Sequence, residues 1–436
     1  MGKIYKYSSF NLRIKLDELS CLLYNTSSGI LVKIKNRKLD NILRHLENGY
    51  QNINNQLLSQ LIENNFIIDN KVDEYKKIVE RYLDFKKNQR RLELYVILTM
   101  ECNFDCPYCF QTREKHSIDN LLANSIIKLV KENVKKFKIK ETIIHWFGGE
   151  PLLHKDIISK ISSSLKDVLT HSILHTNGYA MDSQFINSLE VLKIKQIRVT
   201  LDGPKSIHDK RRKLKGGKGT YEKIKSNLSS IVNSNNNISI IISTNIDKLN
   251  IDQYEFLLKD IESFSGKVQL NVNRTFIGNK CEMTELDTFN KSEFNKKSEK
   301  LYDQIIDKNL GEFFMPKQLL NICQADNQFS YAIYPNGEVF KCSSCISNPR
   351  SKIGFLHDGE IVLNDKEYQK WEGIGFLHDK DCQKCKILPL CLGGCPEHRI
   401  FQSSDAGQTK LCYEDNDIET IKNRILFYYK KYIENK

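Results

Sequence analysis

Between positions 102 and 109 the chain reads Cys102-Asn103-Phe104-Asp105-Cys106-Pro107-Tyr108-Cys109, three cysteines spaced CxxxCxxC after the apolar run 92–98. A short apolar run of this kind reads as a buried strand, which puts the cysteines on the loop at its end. Three thiolates from one loop can hold three irons of a cubane cluster, whose full protein ligation takes four cysteines. The fourth iron is then open, a place where a small molecule can chelate and be reduced. A zinc knuckle is the alternative and needs a fourth cysteine or histidine close by; His116 could serve.

The rest of the composition narrows the setting. A length of 436 residues points to two or three domains, and 40% apolar residues with 21 Phe and 19 Tyr supply their cores. No apolar run reaches the length of a membrane span, and the N-terminus shows no signal-peptide core, so a cytoplasmic protein with no membrane partner is expected. In that reducing compartment 13 cysteines are metal ligands rather than disulfides. The formal charge of +12 is scattered over lysine-rich surface such as Lys135-Lys136-Phe137-Lys138. It leans toward acidic partners such as a peptide; no nucleic-acid-binding pattern accompanies it.

Along the chain three regions separate. Residues 1–90 show strand patterns at 10–14, 20–24 and 29–34, then helical patterns near 37–46, 54–63 and 72–85, with a short apolar piece at 66–69. A small sheet followed by three helices is winged-helix-like. It can bind an extended peptide on a sheet edge, or simply cap the next domain. Residues 91–312 alternate strands at 92–98, 142–147, 172–175, 196–201, 238–243 and 268–272 with helical stretches. The expected class is α/β, a partial (β/α)6 TIM-type barrel whose chemistry sits at the C-terminal ends of its strands. Residues 313–436 carry the remaining clustered cysteines.

Phe147-Gly148-Gly149-Glu150-Pro151 follows the second barrel strand. Paired glycines let backbone approach a ligand closely, and the carboxylate can accept from an ammonium group; taken alone, a Gly-Gly pair is as well explained as an ordinary turn. His175-Thr176-Asn177-Gly178 ends the third strand. Thr200-Leu201-Asp202-Gly203-Pro204 ends the fourth, followed by Ile207-His208-Asp209 and Arg212. With an aromatic just before the third cysteine, these motifs together resemble the radical S-adenosylmethionine (SAM) enzymes, and the series from Thr200 to Arg212 resembles their peptide-modifying branch and the anaerobic sulfatase maturases. The resemblance implies a SAM-binding [4Fe-4S] cluster on Cys102, Cys106 and Cys109. It implies SAM contacts from Gly148, Gly149 and Glu150 to the amino group, from Thr200, from Arg212 to the carboxylate, and from Tyr108 against the adenine, mostly through its backbone. Thr176 and Asn177 are further candidates to line the cavity.

The C-terminal region has Cys323, thirteen residues, Gly337, four residues and Cys342. Cys382-x2-Cys385-x5-Cys391-x3-Cys395 and Cys412 follow. A pair of zinc ribbons could use such cysteines, but the register resembles the SPASM extension of radical SAM enzymes, which holds two auxiliary clusters. That resemblance implies one cluster on Cys323, Cys342 and Cys395 and another on Cys382, Cys385, Cys391 and Cys412. The position where some relatives carry a further cysteine is Lys317 here, so Cys345, Cys281 or an open iron completes the first. Cys21 stands alone and reads as a buried apolar residue. Similarity to cross-link-forming maturases of the streptide and thioether type implies three [4Fe-4S] clusters, SAM, a precursor peptide with a leader sequence and a reductant such as flavodoxin or ferredoxin. The alternatives are a sulfatase-maturing, formylglycine-generating enzyme and, in another class, a non-catalytic iron–sulfur electron carrier or scaffold.

Overall fold

The computed structural model describes residues 4–47, 56–109, 111, 114–234, 237–275, 288–321, 323–346, 348–372, 375–402, 412 and 417–434. The chain divides into two compact units. One comprises Met1–Gln89, Phe314–Gln328 and Lys370–Lys436, the other Arg90–Phe313 and Phe329–Gln369.

The first unit opens with β1 (Tyr5–Tyr7), β2 (Asn11–Lys15), β3 (Ser20–Asn25) and β4 (Leu31–Lys35), then α1 (Asn36–Glu47), α2 (Gln56–Glu63), β5 (Ile67–Asp69) and α3 (Glu74–Lys87). β2, β3 and β4 form an antiparallel meander, and β1 pairs with β5. Central β3 is buried along its whole length. Successive side chains point to opposite faces, so Leu22 and Tyr24 join one core while Cys21 and Leu23 join another with Leu39, Ile42, Leu58 and Leu61 of α1 and α2. Cys21 is accordingly a core residue. α3 begins where Asp73 accepts the Lys76 N–H and carries Lys86 and Lys87 in its last turn, complementing the helix dipole.

The second unit is built on β6 (Arg91–Thr99), β7 (Glu141–Gly148), β8 (His171–Thr176), β9 (Ile194–Thr200), β10 (Ser239–Ile246) and β11 (Val268–Arg274), parallel and adjacent in sequence order. Between them run α4 (Asn120–Phe137), α5 (Lys155–Ser164), α6 (Ser183–Ser188), α7 (Lys205–Arg211), α8 (Tyr221–Val232) and α9 (Tyr254–Asp260), and α10 (Lys291–Asp307) follows β11. This is the parallel α/β architecture expected from the alternating pattern. In β8 every second residue is buried, Ser172, Leu174 and Thr176, and in β9 the buried residues are Ile194, Ile197 and Val199.

Four further strands lengthen this sheet: β12 (Ser330–Ile333), β13 (Glu338–Phe340), β14 (Lys352–His357) and β15 (Glu360–Leu363). β12 lies parallel to β6 and turns back into β13 at Gly337, whose φ of 91° suits glycine. The compact units therefore cut the chain differently from the three-region division above. Hydrogen bonding of β12 to β6 draws residues 329–369 into the barrel's own unit. α11 (Asp365–Glu372) leads to the short helices α12 (Lys380–Gln383), α13 (Leu388–Cys391) and α14 (Pro396–Gln402). Last comes α15 (Ile418–Tyr429), which packs Ile421, Ile425 and Tyr429 with Leu12, Leu22 and Tyr24. Among the described residues no helix is long and apolar enough to cross a membrane.

Candidate active site

The cysteine loop leaves the end of β6 and is pinned from both sides. Met100 N–H donates to the His116 carbonyl (2.9 Å), Asp105 N–H to the Lys213 carbonyl (2.9 Å) and Lys215 N–H to the Asn103 carbonyl (3.0 Å). Phe104 is buried beneath the Arg212 guanidinium, 5.7 Å from its ring. Cys102 and Cys106 are half-buried and Cys109 is exposed. Burial raises the Cys102 thiol and pushes Cys106 up to about 11, against the pull of the Arg212 charge. The Asn177 amide donates to Asn103 Oδ1 (2.7 Å) and lies 3.8 Å from Cys102 Sγ.

The Gly-Gly pair packs against this segment. A Cβ on Gly148 would stand 2.3 Å from the Thr99 carbonyl oxygen, and one on Gly149 2.2 Å from that of Glu101. Gly149 N–H donates to Thr99 O (2.8 Å) and Glu150 N–H to Glu101 O (2.9 Å). The backbone that approaches these glycines is thus the chain's own, and the pair ties β7 to the cysteine loop. Glu150 is fully buried. It accepts from Thr176 Oγ1 (2.6 Å), Leu152 N–H (3.0 Å) and Asn177 N–H (2.7 Å). Burial raises its pKa and these bonds oppose the rise. An ionised carboxylate has about four acceptor positions, so roughly one remains for an ammonium group. Glu150, Thr176 and Asn177 are brought together; Thr200 ends β9 opposite Ser243 of β10.

Arg212 is buried and donates from Nη1 to the Tyr108 hydroxyl (2.7 Å), which in turn donates to Asp202. Arg211 stacks over the Tyr108 ring at 5.1 Å and donates to Asp247 (2.6 Å). The Tyr108 side chain is therefore seated between a carboxylate and two guanidiniums. His208 accepts the Asp202 N–H (3.4 Å), and burial lowers its pKa to about 3. Asp202, His208, Arg211 and Asp247 were not singled out as site residues from the sequence. The run from Asp202 to Arg211 was in view as part of the motif after β9, but no role was given to these side chains; Asp247, after β10, carried no signal. Arg211 Nε pairs with the Asp202 carboxylate (3.5 Å), while Arg211 Nη2 and Arg212 Nε are buried without a hydrogen-bond partner. Unspent buried donors are costly, and beside three thiols they suit an anion-bearing ligand such as the SAM carboxylate.

In the first unit, Cys382 on α12, Cys391 on α13, Cys385 and Cys412 form a second set. Burial, with Cys391 nearby, pushes Cys382 up to about 12; burial, with Cys385 and Cys412 nearby, pushes Cys391 up to about 11. A metal centre would reverse this, because coordinated thiols are deprotonated outright; the donor set fits a cluster. Arg399 Nη2 donates to Cys382 Sγ (3.1 Å) and Nη1 to Asp379 (2.9 Å). Leu392, Gly393 and Gly394, all at positive φ, bend the chain between Cys391 and Cys395. Cys323 and Cys395 belong to the first unit and Cys342 to the second. Cys281 and the Cys345 side chain lie outside the described residues. Among the described residues no three His, Cys, Asp or Glu side chains converge as they would around a single metal ion.

Residues 96–261 match the Radical SAM superfamily. The radical SAM cyclopropyl synthase TigE of Paramaledivibacter caminithermalis is 23% identical over 431 residues, 88% of this chain and 87% of that protein. The cysteine-type anaerobic sulfatase-maturating enzyme of Clostridium novyi is 24% identical over 329 residues, 68% of this chain and 86% of that protein. Among solved structures, Streptococcus suis SuiB bound to precursor peptide SuiA superposes with a TM-score of 0.53 at 15% identity, covering 94% of this chain and 99% of that one. Native anSMEcpe with bound AdoMet gives 0.58 at 18%, covering 78% and 97%. At these identities the structural likeness is one of fold. The chain carries a radical SAM domain at residues 96–261.

Proposed function

We propose that this protein is a radical SAM peptide maturase that installs an oxidative cross-link, carbon–carbon, ether or thioether, in a ribosomal precursor peptide. The observation that carries the reading is the first unit. Its meander ends in edge strand β4, with Lys33 and Lys35 exposed. An edge strand can pair with an extended peptide, and its lysines suit an acidic leader. The likeness in fold to peptide-bound SuiB over 94% of the chain supports it.

In this reading Cys102, Cys106 and Cys109 hold the SAM-binding cluster. Cys382, Cys385, Cys391 and Cys412 hold one auxiliary cluster; Cys323, Cys342 and Cys395 hold the other, completed by Cys345, by Cys281 or by an open iron. When bound, SAM and the clusters supply a 5′-deoxyadenosyl radical and an outlet for one electron. The chain's own residues orient that cofactor. The remaining acceptor position of Glu150 faces the ammonium group, and Arg212 Nε–H with Arg211 Nη2–H face the carboxylate, each able to give it a charge-assisted hydrogen bond. A flavodoxin or ferredoxin is the expected reductant.

The test is incubation of the full chain with SAM, reductant and the acidic peptide encoded beside its gene. The expected product has lost the mass of two hydrogens, and Lys33→Glu with Lys35→Glu weakens peptide binding. Absence of both effects contradicts the reading. The similarity to sulfatase-maturating enzymes favours formylglycine formation as a second reading; there the product would be captured by a hydrazide. An electron-carrying scaffold would cleave no SAM under strong reductant.

A further inference from the structure

One face of the parallel sheet carries a connected chain of polar side chains that the site above does not use. His145 Nε2 on β7 lies 2.8 Å from Glu93 Oε1 on β6, and His145 Nδ1 lies 3.1 Å from His175 Nε2 on β8. The Tyr95 ring stacks on His145 with centroids 3.9 Å apart and planes 10° from parallel, and Phe147 sets its edge on His175 at 5.2 Å. Register gives the chain a direction. Tyr95 is level with His145 and His145 is level with Ile173. Each hydrogen bond therefore climbs two residues, about 6.6 Å of strand, toward the ends that carry the cysteine loop and the SAM site.

The protonation pattern follows from the carboxylate. Burial pushes Glu93 up, but the hydrogen bond from His145 and the charge of Arg91 outweigh it and hold the carboxyl below its ordinary value. An ionised carboxylate only accepts, so His145 carries its proton on Nε2 and offers Nδ1 as a lone pair. His175 must then donate from Nε2, which leaves its own Nδ1 lone pair bare. No hydrogen bond to that nitrogen is found among the described residues. Burial lowers the pKa of His145 against the pull of Glu93, and burial with the charges of His145 and Arg198 lowers that of His175 well below its ordinary value. At the other end the Glu93 side chain is itself 12% exposed, with Oε2 3.3 Å from Arg91, so a proton that reaches this carboxylate can leave to solvent directly.

We propose that His175 Nδ1 accepts the proton released when the peptide is oxidised, with His145 and Glu93 as positioning residues that relay it to the N-terminal ends of the strands. The role rests on the peptide-oxidation reading. Joining a peptide C–H carbon to an X–H group, where X is carbon, oxygen or sulfur, forms C–X and releases a hydrogen atom, a proton and an electron. The hydrogen atom leaves with the SAM-derived radical, and the electron goes to a one-electron acceptor of the iron–sulfur class. The proton from X–H goes to His175 Nδ1, the Nε2 proton of His175 to His145 Nδ1, and the Nε2 proton of His145 to Glu93. An imidazole in this position contributes on the order of 10²–10⁴ in rate.

Two readouts on the reconstituted full chain decide the matter. With 15N-labelled histidine, long-range proton–nitrogen correlation is expected to show His145 and His175 as neutral Nε2–H tautomers near neutral pH, and Glu93→Leu to abolish the preference at His145. An Nδ1–H tautomer or an imidazolium at His175 overturns the proposal. With the precursor peptide encoded beside the gene, His175→Phe is expected to carry peptide deuterium into 5′-deoxyadenosine while cross-link per deoxyadenosine falls at least about tenfold. Added imidazole should restore part of it. His175→Asn, matched to wild type in iron content, guards against a folding loss and should show the same fall. Undiminished cross-linking in both variants overturns the proposal. A wild-type chain that cleaves SAM but takes no hydrogen from the peptide overturns the peptide reading, and this role with it.

Discussion

The barrel cysteines lie on one loop between Cys102 and Cys109, held by backbone ladders from the ends of β6 and β7 and by residues 213–215. The second set, Cys382, Cys385, Cys391 and Cys412, places Cys382 and Cys391 on short helices, with a run of positive-φ residues following Cys391. Their surroundings differ as much as their construction. The barrel loop faces Arg211, Arg212, Asp202 and Glu150, with guanidinium N–H groups left unspent. Cys382 instead lies in an apolar core with Phe10, Ile78, Tyr82, Phe376, Leu388 and Leu392, one guanidinium reaching its sulfur. A polar pocket with unspent donors suits a ligand that arrives and departs; an apolar shell suits a resident group.

The largest expected effect comes from removing one thiol from each set. Cys106→Ala should abolish SAM cleavage, whereas Cys391→Ala should lower iron by about a third and leave peptide-independent SAM cleavage measurable. Equal loss of cleavage in both variants would erase the distinction. Gly149→Ala probes the ladder, since its Cβ would sit 2.2 Å from the Glu101 oxygen while at Gly216 nothing lies within 4 Å. The first substitution should cost about 3 kcal/mol or more and weaken SAM binding; Gly216→Ala should stay within about 0.5 kcal/mol in denaturant unfolding.

The polar region should also respond to acid. Burial holds His208 at about 3, far below an unfolded histidine near 6.5. The unfolded chain binds a proton there that the fold refuses, so this stability is complete above about pH 6.5 and is lost as pH falls toward 3, at up to roughly 1.4 kcal/mol per pH unit. His208→Gln should flatten that slope in melts recorded across the window. The smallest effect is expected at Arg399→Met, which removes the donor to Cys382. Reductive titration should show the auxiliary cluster harder to reduce by about 1–2 kcal/mol, with the SAM-site cluster unmoved.

How legible these regions were in the sequence follows from how local their causes are. The strands at 92–98 and 142–147 announce themselves as apolar runs, and β6 and β7 form there. The pairing of β12 with β6 joins residues more than two hundred positions apart and leaves no local mark. The Gly148-Gly149 pair was visible, but its partner, the backbone of 99–101, appears only once the loop folds over it. Tyr108, Asp202 and Arg212 were each in view as parts of motifs. Their hydrogen-bonded order, and the unspent donors it leaves on Arg211, depend on side chains from three separate segments. His145 and His175 read as ordinary strand residues, because a period-2 pattern assigns a face and not a neighbour.

The central claim, that both cysteine sets hold clusters and the barrel set activates SAM, is tested most directly by one anaerobic preparation. Iron, sulfide and zinc per chain would be measured with 5′-deoxyadenosine release on the same sample. The account predicts roughly twelve irons, negligible zinc and SAM cleavage under strong reductant. About four irons with one or two zincs would make the first unit's cysteines structural. Absence of SAM cleavage at full iron loading would contradict the role assigned to the barrel loop.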